Sequence, residues 1–253
     1  MSQQSLVLPA YAKLNLELLV KGALPDGRHE LDTVFQSVSL HDLLEVAPSG
    51  RTELGVEGEA PAGQENLVLR AAAALEEACG RPLPARFRLL KRIPAGSGLG
   101  GGSSDAAAAL RGLRRLFELD VDLQPVAAAI GADVPFCLRG GRAAATGAGD
   151  LLSALPAGDL TWYALAWPGY GISTAEVYRR WDEVGGGGRN HLQAAACAVE
   201  PRLAGFASRL GEGWVMTGSG SAFFKEFRTR PEAVAAVAGL DCWAEVAWAV
   251  PAW

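Results

Sequence analysis

The sequence predicts a mixed fold of strands and helices, and three observations predict it. Residues 10–20 alternate: Ala12, Leu14, Leu16, Leu18 and Val20 share one face, and Tyr11, Lys13, Asn15 and Glu17 the other, the period of a strand. An apolar run over 86–93 meets Pro94 and then Gly96, Gly98, Gly100, Gly101 and Gly102. Beyond them Ala106, Ala109, Leu110, Leu113 and Leu116 recur at helical spacing, with Ser103, Ser104 and Asp105 placed to cap that helix. Residues 160–167 read as another strand, which turns at 168–171 into a helix capped near Ser173 or Thr174.

Taken in order, the first strand carries lysine and asparagine, poor strand formers. A solvated outer face accounts for Lys13 and Asn15 unless a carboxylate elsewhere pairs with the lysine. Residues 24–30 form a turn carrying His29, one of three histidines. Strand resumes over 33–40 and 43–46, broken at His41 and Asp42, and 48–63 reads as a polar hairpin or loop. Asn66 caps a helix that ends near Gly80. A short helix over 124–130 stops at Gly131. Asp133 follows among apolar neighbours, with Pro135 interrupting any helix for it to cap. A buried carboxylate is costly unless paired, and a turn aspartate bonded to its own backbone is the equal alternative. Residues 142–155 are strand and turn, with a domain boundary there. Helices near 173–181, after Asn190 and over 231–238, a second glycine element over 214–225 and a last strand over 242–250 complete the chain.

The loop over 94–104 carries chemistry. Glycine lets a ligand approach the main chain, and a glycine loop opening a helix points backbone N–H groups and the positive end of the helix dipole at one spot, which suits phosphate. Gly96, Gly98 and Gly101 satisfy the dinucleotide-binding spacing, but residues 117–124, where an acid should end a second apolar strand, are too polar. A Walker loop fails because no lysine follows the glycines.

Composition narrows the classes. With 253 residues, 49% hydrophobic and 20% charged, the chain has the balance of a soluble protein of one large or two modest domains. A net charge of −5 advertises no surface for nucleic acid or anionic membrane. Cys79, Cys137, Cys197 and Cys242 form no C-x-x-C pair and read as buried thiols of a reducing cytoplasm rather than metal ligands. No signal pattern or membrane-spanning run is expected.

Five motifs in order resemble one family. The loop Pro94-x-Gly-x-Gly-Leu-Gly-Gly-Gly-Ser-Ser-Asp105 resembles the phosphate loop of the GHMP kinases, and 216–222 their C-terminal glycine motif. Residues 10–16, 26–30 and 131–136 resemble the branch of that family acting on a cytidine-diphosphate sugar alcohol of the isoprenoid route that does not pass through mevalonate. The resemblance implies a two-domain α+β fold, here 1–155 and 156–253. The first domain is ribosomal-protein-S5-like and the second ferredoxin-like, with the active site between them. It implies Lys13 and Asp133 as the catalytic pair, Asp133 accepting or orienting the hydroxyl proton and Lys13 favouring the developing negative charge. It places ATP on Asn66 and on Pro94, Ala95, Gly96, Ser97, Gly98, Leu99, Gly100, Gly101, Gly102, Ser103 and Ser104. It also implies magnesium with the nucleotide, carried largely by phosphate and water rather than by a protein cage. Substrate falls to Asn15, Arg28, His29, Thr174 and Tyr178, with His29 reading the cytosine edge. Arg28 stands where the family commonly has tyrosine, and a guanidinium plane can stack on a base. A monomer or weak homodimer in the cytoplasm is expected. The rivals are a GHMP kinase of mevalonate or homoserine type, an RNA-binding module, and, more weakly, a dinucleotide-dependent oxidoreductase.

Overall fold

The structure is a computed structural model that describes residues 5–253. By Cα proximity the chain divides into two compact units, one made of the residues up to Ala12, His41–Ala95 and Gly100–Arg139, the other of Lys13–Leu40, Gly96–Leu99 and Gly140–Trp253. Strand β1 (Leu6–Ala23) pairs with β2 (His29–Pro48), and both enter each unit.

In the first unit the second half of β2 runs antiparallel to β4 (Ala85–Leu90), from Leu43 opposite Leu90 to Pro48 opposite Ala85. β3 (Glu53–Glu57) lies parallel to β4, so a strand occupies part of the segment expected to be loop. Its Glu-Leu-Gly-Val-Glu pattern is half exposed and polar, as an edge strand allows. Nor is β2 broken at Asp42, which sits within the continuous strand, fully buried.

Four helices complete this unit. α1 (Leu67–Cys79) is capped by Asn66, whose side chain accepts from the Val68 N–H, and it ends at Gly80 in the left-handed conformation. α2 (Gly101–Leu116) buries Ala106 through Leu110 and Leu113, packing against α1. Gly112 lets it sit close on the strands, since a Cβ there would lie 2.7 Å from Val46 Cγ2 and 3.2 Å from Leu8 Cδ1. α2 starts earlier than the serines suggest: Gly100 is its N-cap, and Ser103, Ser104 and Asp105 lie inside the helix. α3 (Leu123–Ile130) is capped by Asp122. α4 (Val134–Arg139) forms despite Pro135, because proline in the first helical turn forfeits an N–H that has no intrahelical partner there.

In the second unit the first half of β2 pairs antiparallel with β5 (Arg142–Thr146), which pairs with β6 (Leu151–Ala154). A separate antiparallel sheet has the order β10 (Trp243–Trp248), β7 (Trp162–Trp167), β9 (Phe223–Phe227), β8 (Val215–Met216). α8 (Arg230–Val237) packs against β7, β9 and β10. α5 (Thr174–Val184), α6 (Gln193–Val199) and α7 (Arg202–Leu210) surround a core of Leu18, Val20, Val177, Leu192, Phe206, Met216 and Phe223. Fully burying an aliphatic or phenyl side chain of this kind stabilises by about 1.5–3 kcal/mol.

Of the cysteines only Cys137 is buried, and the other three are partly exposed free thiols. Among the described residues no helix is long and apolar enough to cross a membrane, and no cluster of three or more potential metal ligands occurs.

Candidate active site

The second unit holds Lys13, Asn15, Arg28, His29, Gly96 to Leu99, Thr174 and Tyr178; the first holds Asn66, Pro94, Ala95, Gly100 to Ser104 and Asp133.

Lys13 and Asn15 do not face water. They are 4% and 3% exposed, although they lie on the strand face opposite Leu14 and Leu16. The Lys13 ammonium donates to Asn15 Oδ1 at 2.7 Å and stands 5.5 Å from the Phe35 ring centre. Asn15 in turn donates from Nδ2 to Thr33 Oγ1 at 2.8 Å, and its backbone N–H donates to Thr217 Oγ1 at 2.9 Å. A polar pair on a buried face is tolerable only when bonded in this way. The lysine's reach is thereby set, because an amide with fixed partners on both ends holds it.

The glycine segment packs close by. Lys13 N–H donates to the Leu99 carbonyl at 2.9 Å, and Ala222 N–H to the Ser97 carbonyl at 2.8 Å. The second glycine element, 217–221, joins the antiparallel β8 and β9 and packs its main chain on this segment. Backbone meets backbone: a Cβ on Gly98 would lie 2.5 Å from the Thr217 oxygen and 2.8 Å from the Gly220 oxygen, and one on Gly96 would lie 3.1 Å from Gly171 Cα. Asn190 locks this element, donating from Nδ2 to the carbonyls of Met216 at 2.7 Å and Gly218 at 2.9 Å. Sequence reasoning gave Asn190 only a helix to open.

Gly98 is also held at φ +83°. Gly98→Ala is expected to destabilise the protein by about 1–3 kcal/mol through backbone strain and the displaced carbonyls. Thermal melting checks this, and an unchanged midpoint would show that the loop's close packing is dispensable.

His29, at the start of β2, meets one face of α5. Its ring stacks on Tyr178 at 4.8 Å, takes the edge of Trp181 at 5.6 Å, and its Nε2 lies 2.7 Å from Asp182 Oδ1. Tyr178, Trp181 and Asp182 are spaced i, i+3 and i+4, so one helix face presents all three. Trp181 and Asp182 escaped the sequence reading, though that spacing was there to be seen. Thr174, the first residue of α5, bonds Ser219 of the second glycine element at 2.7 Å. Arg28 is engaged by Asp26, its Nε donating to Oδ2 at 2.7 Å and its backbone N–H to Oδ1 at 3.0 Å. Those same bonds hold the Asp26 carboxyl below its ordinary range.

In the first unit, α2 follows its N-cap Gly100 with no side-chain cap on the first turn. Ser104 is turned inward, donating to the Gly101 carbonyl at 2.8 Å. Asn66 bonds locally, its Oδ1 accepting from Val68 N–H and its Nδ2 donating to the Pro61 carbonyl at 2.6 Å. Asp133 is half-buried just before α4, and its carbonyl accepts the Cys137 N–H at 3.1 Å.

One buried cluster went unforeseen. Lys91 bonds both Asp42 and Asp105, the latter at 2.7 Å, with all three side chains no more than 6% exposed. Asp42 Oδ1 also accepts the N–H groups of Arg92 at 2.5 Å and Ile93 at 2.9 Å. The residues just before the glycine loop are thus tied to the helix that follows it. Burial pushes Asp105 up to about 7, with Lys91 pulling it down and Asp42 pushing it further up. Burial acts to lower Lys91, yet its two carboxylates raise it above the ordinary lysine value.

The description "GHMP kinases N terminal domain" matches residues 66–141. A protein of Moorella thermoacetica called 4-diphosphocytidyl-2-C-methyl-D-erythritol kinase is 40% identical, over 87% of this chain and 89% of its own. One of the same name from Thermus thermophilus is 39% identical, over 95% and 94%. Among solved structures, a 4-(cytidine 5'-diphospho)-2C-methyl-D-erythritol kinase superposes with TM-score 0.83 at 37% identity, covering 96% of this chain and 99% of that one. The homoserine kinase of Cytophaga hutchinsonii superposes with TM-score 0.72 at 17% identity, a likeness of fold alone.

Proposed function

This chain belongs to the 4-diphosphocytidyl-2-C-methyl-D-erythritol kinases, and from that premise we propose that it transfers the γ-phosphoryl group of ATP to the 2-hydroxyl of 4-diphosphocytidyl-2-C-methyl-D-erythritol. It is an ATP-dependent small-molecule kinase with the two-domain α+β GHMP kinase fold. The observation that carries the acceptor is the likeness to kinases of this substrate along nearly the whole chain.

Phosphoryl transfer asks for positioning and charge stabilisation. The Gly96–Leu99 backbone and the uncapped start of α2 suit the ATP phosphates. Magnesium, which neutralises phosphate charge when bound, enters with the nucleotide. Lys13, oriented by Asn15, supplies a fixed positive charge for the transferring group. Asp133 takes or orients the proton of the attacking hydroxyl. His29 and Tyr178 receive the cytosine, with Thr174, Asn15 and Arg28 holding the remainder of the acceptor. Four free thiols suit a cytoplasmic enzyme.

ADP release with magnesium-ATP and cytidine-diphosphate methylerythritol, run beside mevalonate and homoserine, tests this reading. Turnover confined to the cytidine substrate is the expected result. Turnover with either of the others instead would overturn the acceptor and leave the kinase standing.

A further inference from the structure

We infer that Asp182 is a positioning residue that fixes the tautomer of His29, so that the ring accepts a hydrogen bond from the amino group of a cytosine and turns away the carbonyl of a uracil. This rests on the reading of the acceptor as a cytidine diphosphate compound and deepens it.

The histidine ring is 10% exposed at its side chain and held on three sides. Tyr178 lies nearly parallel, at 27°, and Trp181 meets the ring edge-on at 88°, so its plane is confined. Packing alone does not choose between the two ring nitrogens, nor between the ring and its flipped form. The Asp182 carboxylate, 2.7 Å from Nε2, makes that choice. A carboxylate can only accept, so Nε2 must carry the proton and donate. In the neutral ring Nδ1 is then left as an acceptor.

The two pyrimidines differ where such an acceptor can tell them apart. Cytosine presents an amino donor at C4, and uracil presents a carbonyl oxygen there. An Nδ1 lone pair gains a hydrogen bond from the first and meets a second lone pair on the second. A site that leaves polar groups unpaired against the wrong partner discriminates far more strongly than one relying on shape. Asp182 is 53% exposed, so its removal spares the core.

The test compares kcat/KM for the cytidine substrate and its uridine counterpart in the wild type, Asp182→Asn and Asp182→Glu. An asparagine can accept from Nε2 or, turned over, donate to it, so the tautomer is no longer imposed. The expected result is a preference for cytidine that falls by about tenfold or more in Asp182→Asn, the scale on which an outer hydrogen bond tunes a histidine. KM for ATP should be unchanged, and Asp182→Glu should recover part of the preference. Nitrogen NMR gives a direct reading, because the chain has only three histidines to assign. In mildly alkaline buffer the wild-type His29 ring should show the Nε2–H form, and the Asn variant a mixture. Undiminished preference in Asp182→Asn, or the same ring form in both proteins, overturns the inference. A wild type that ignores the cytidine substrate overturns the functional reading itself, and the inference with it.

Discussion

Asparagine in place of Asp133 is expected to lower kcat by about 10²- to 10⁴-fold, the range that general acid–base catalysis supplies. The amide keeps the size of the carboxylate and can still contact a hydroxyl, but it cannot take a proton. KM for both substrates should change little, so kcat and kcat/KM fall together, as when an interaction made only in the transition state is lost. The Asp133 main-chain carbonyl still accepts the Cys137 N–H in the first turn of α4 in the variant. Steady-state kinetics with both substrates varied, beside a melting curve, separates these effects. A loss smaller than about tenfold would assign Asp133 to orientation rather than proton transfer.

Lys91→Met should be the most destabilising single change near the glycine loop. It removes the cation that bonds both Asp42 and Asp105 in a site that water barely reaches. Breaking a buried ion pair from one side costs about 3–5 kcal/mol, because the remaining charge is left uncompensated. Urea denaturation at neutral pH measures the loss. A loss below about 1 kcal/mol would mean that the carboxylates simply protonate or find water.

Asp105 also predicts a pH dependence. Its folded value near 7 lies above its ordinary 3.8, so over that window the folded protein holds a proton that the unfolded chain has released. This group's contribution therefore falls as pH rises from about 4 to about 7, by at most about 1.4 kcal/mol per pH unit, and is level above. Asp105→Asn should abolish that part of the slope, which stability curves across the window would reveal. An unchanged slope would place the proton elsewhere.

Much of this was legible in the sequence, in proportion to how local the signal was. The β1 alternation, the Asn66 cap and the strand–loop–helix around the glycines each depend on neighbours a few residues away. Lys13 was found as a residue out of place on a strand. That it is buried depends on Thr33, Phe35, Thr217 and the Leu99 carbonyl, partners that no local pattern reveals. Asp42 was misread for the same reason. A carboxylate within an apolar strand looks like a break until Lys91, Arg92 and Ile93, about fifty positions on, are seen to bond it. Pro135 misled because its effect depends on its place in the helix, and the Gly100 N-cap left the serines inside. The likeness of motifs supplied what local patterns could not, namely the family.

The backbone-on-backbone contact of Gly96 and Gly98 with Gly171, Thr217 and Gly220 bears on how this protein can change over generations. Where main chain carries the contacts, there is almost no side-chain vocabulary to edit, and any residue larger than glycine must displace a neighbour. The face of α5 that meets His29 is the opposite, a set of exchangeable side chains on a regular helix. If the acceptor meets α5 as proposed, drift toward a new one has an open road along Tyr178, Trp181 and Asp182, and hardly any at the glycines. A laboratory seeking altered acceptors would do well to randomise the helix and leave the loop alone.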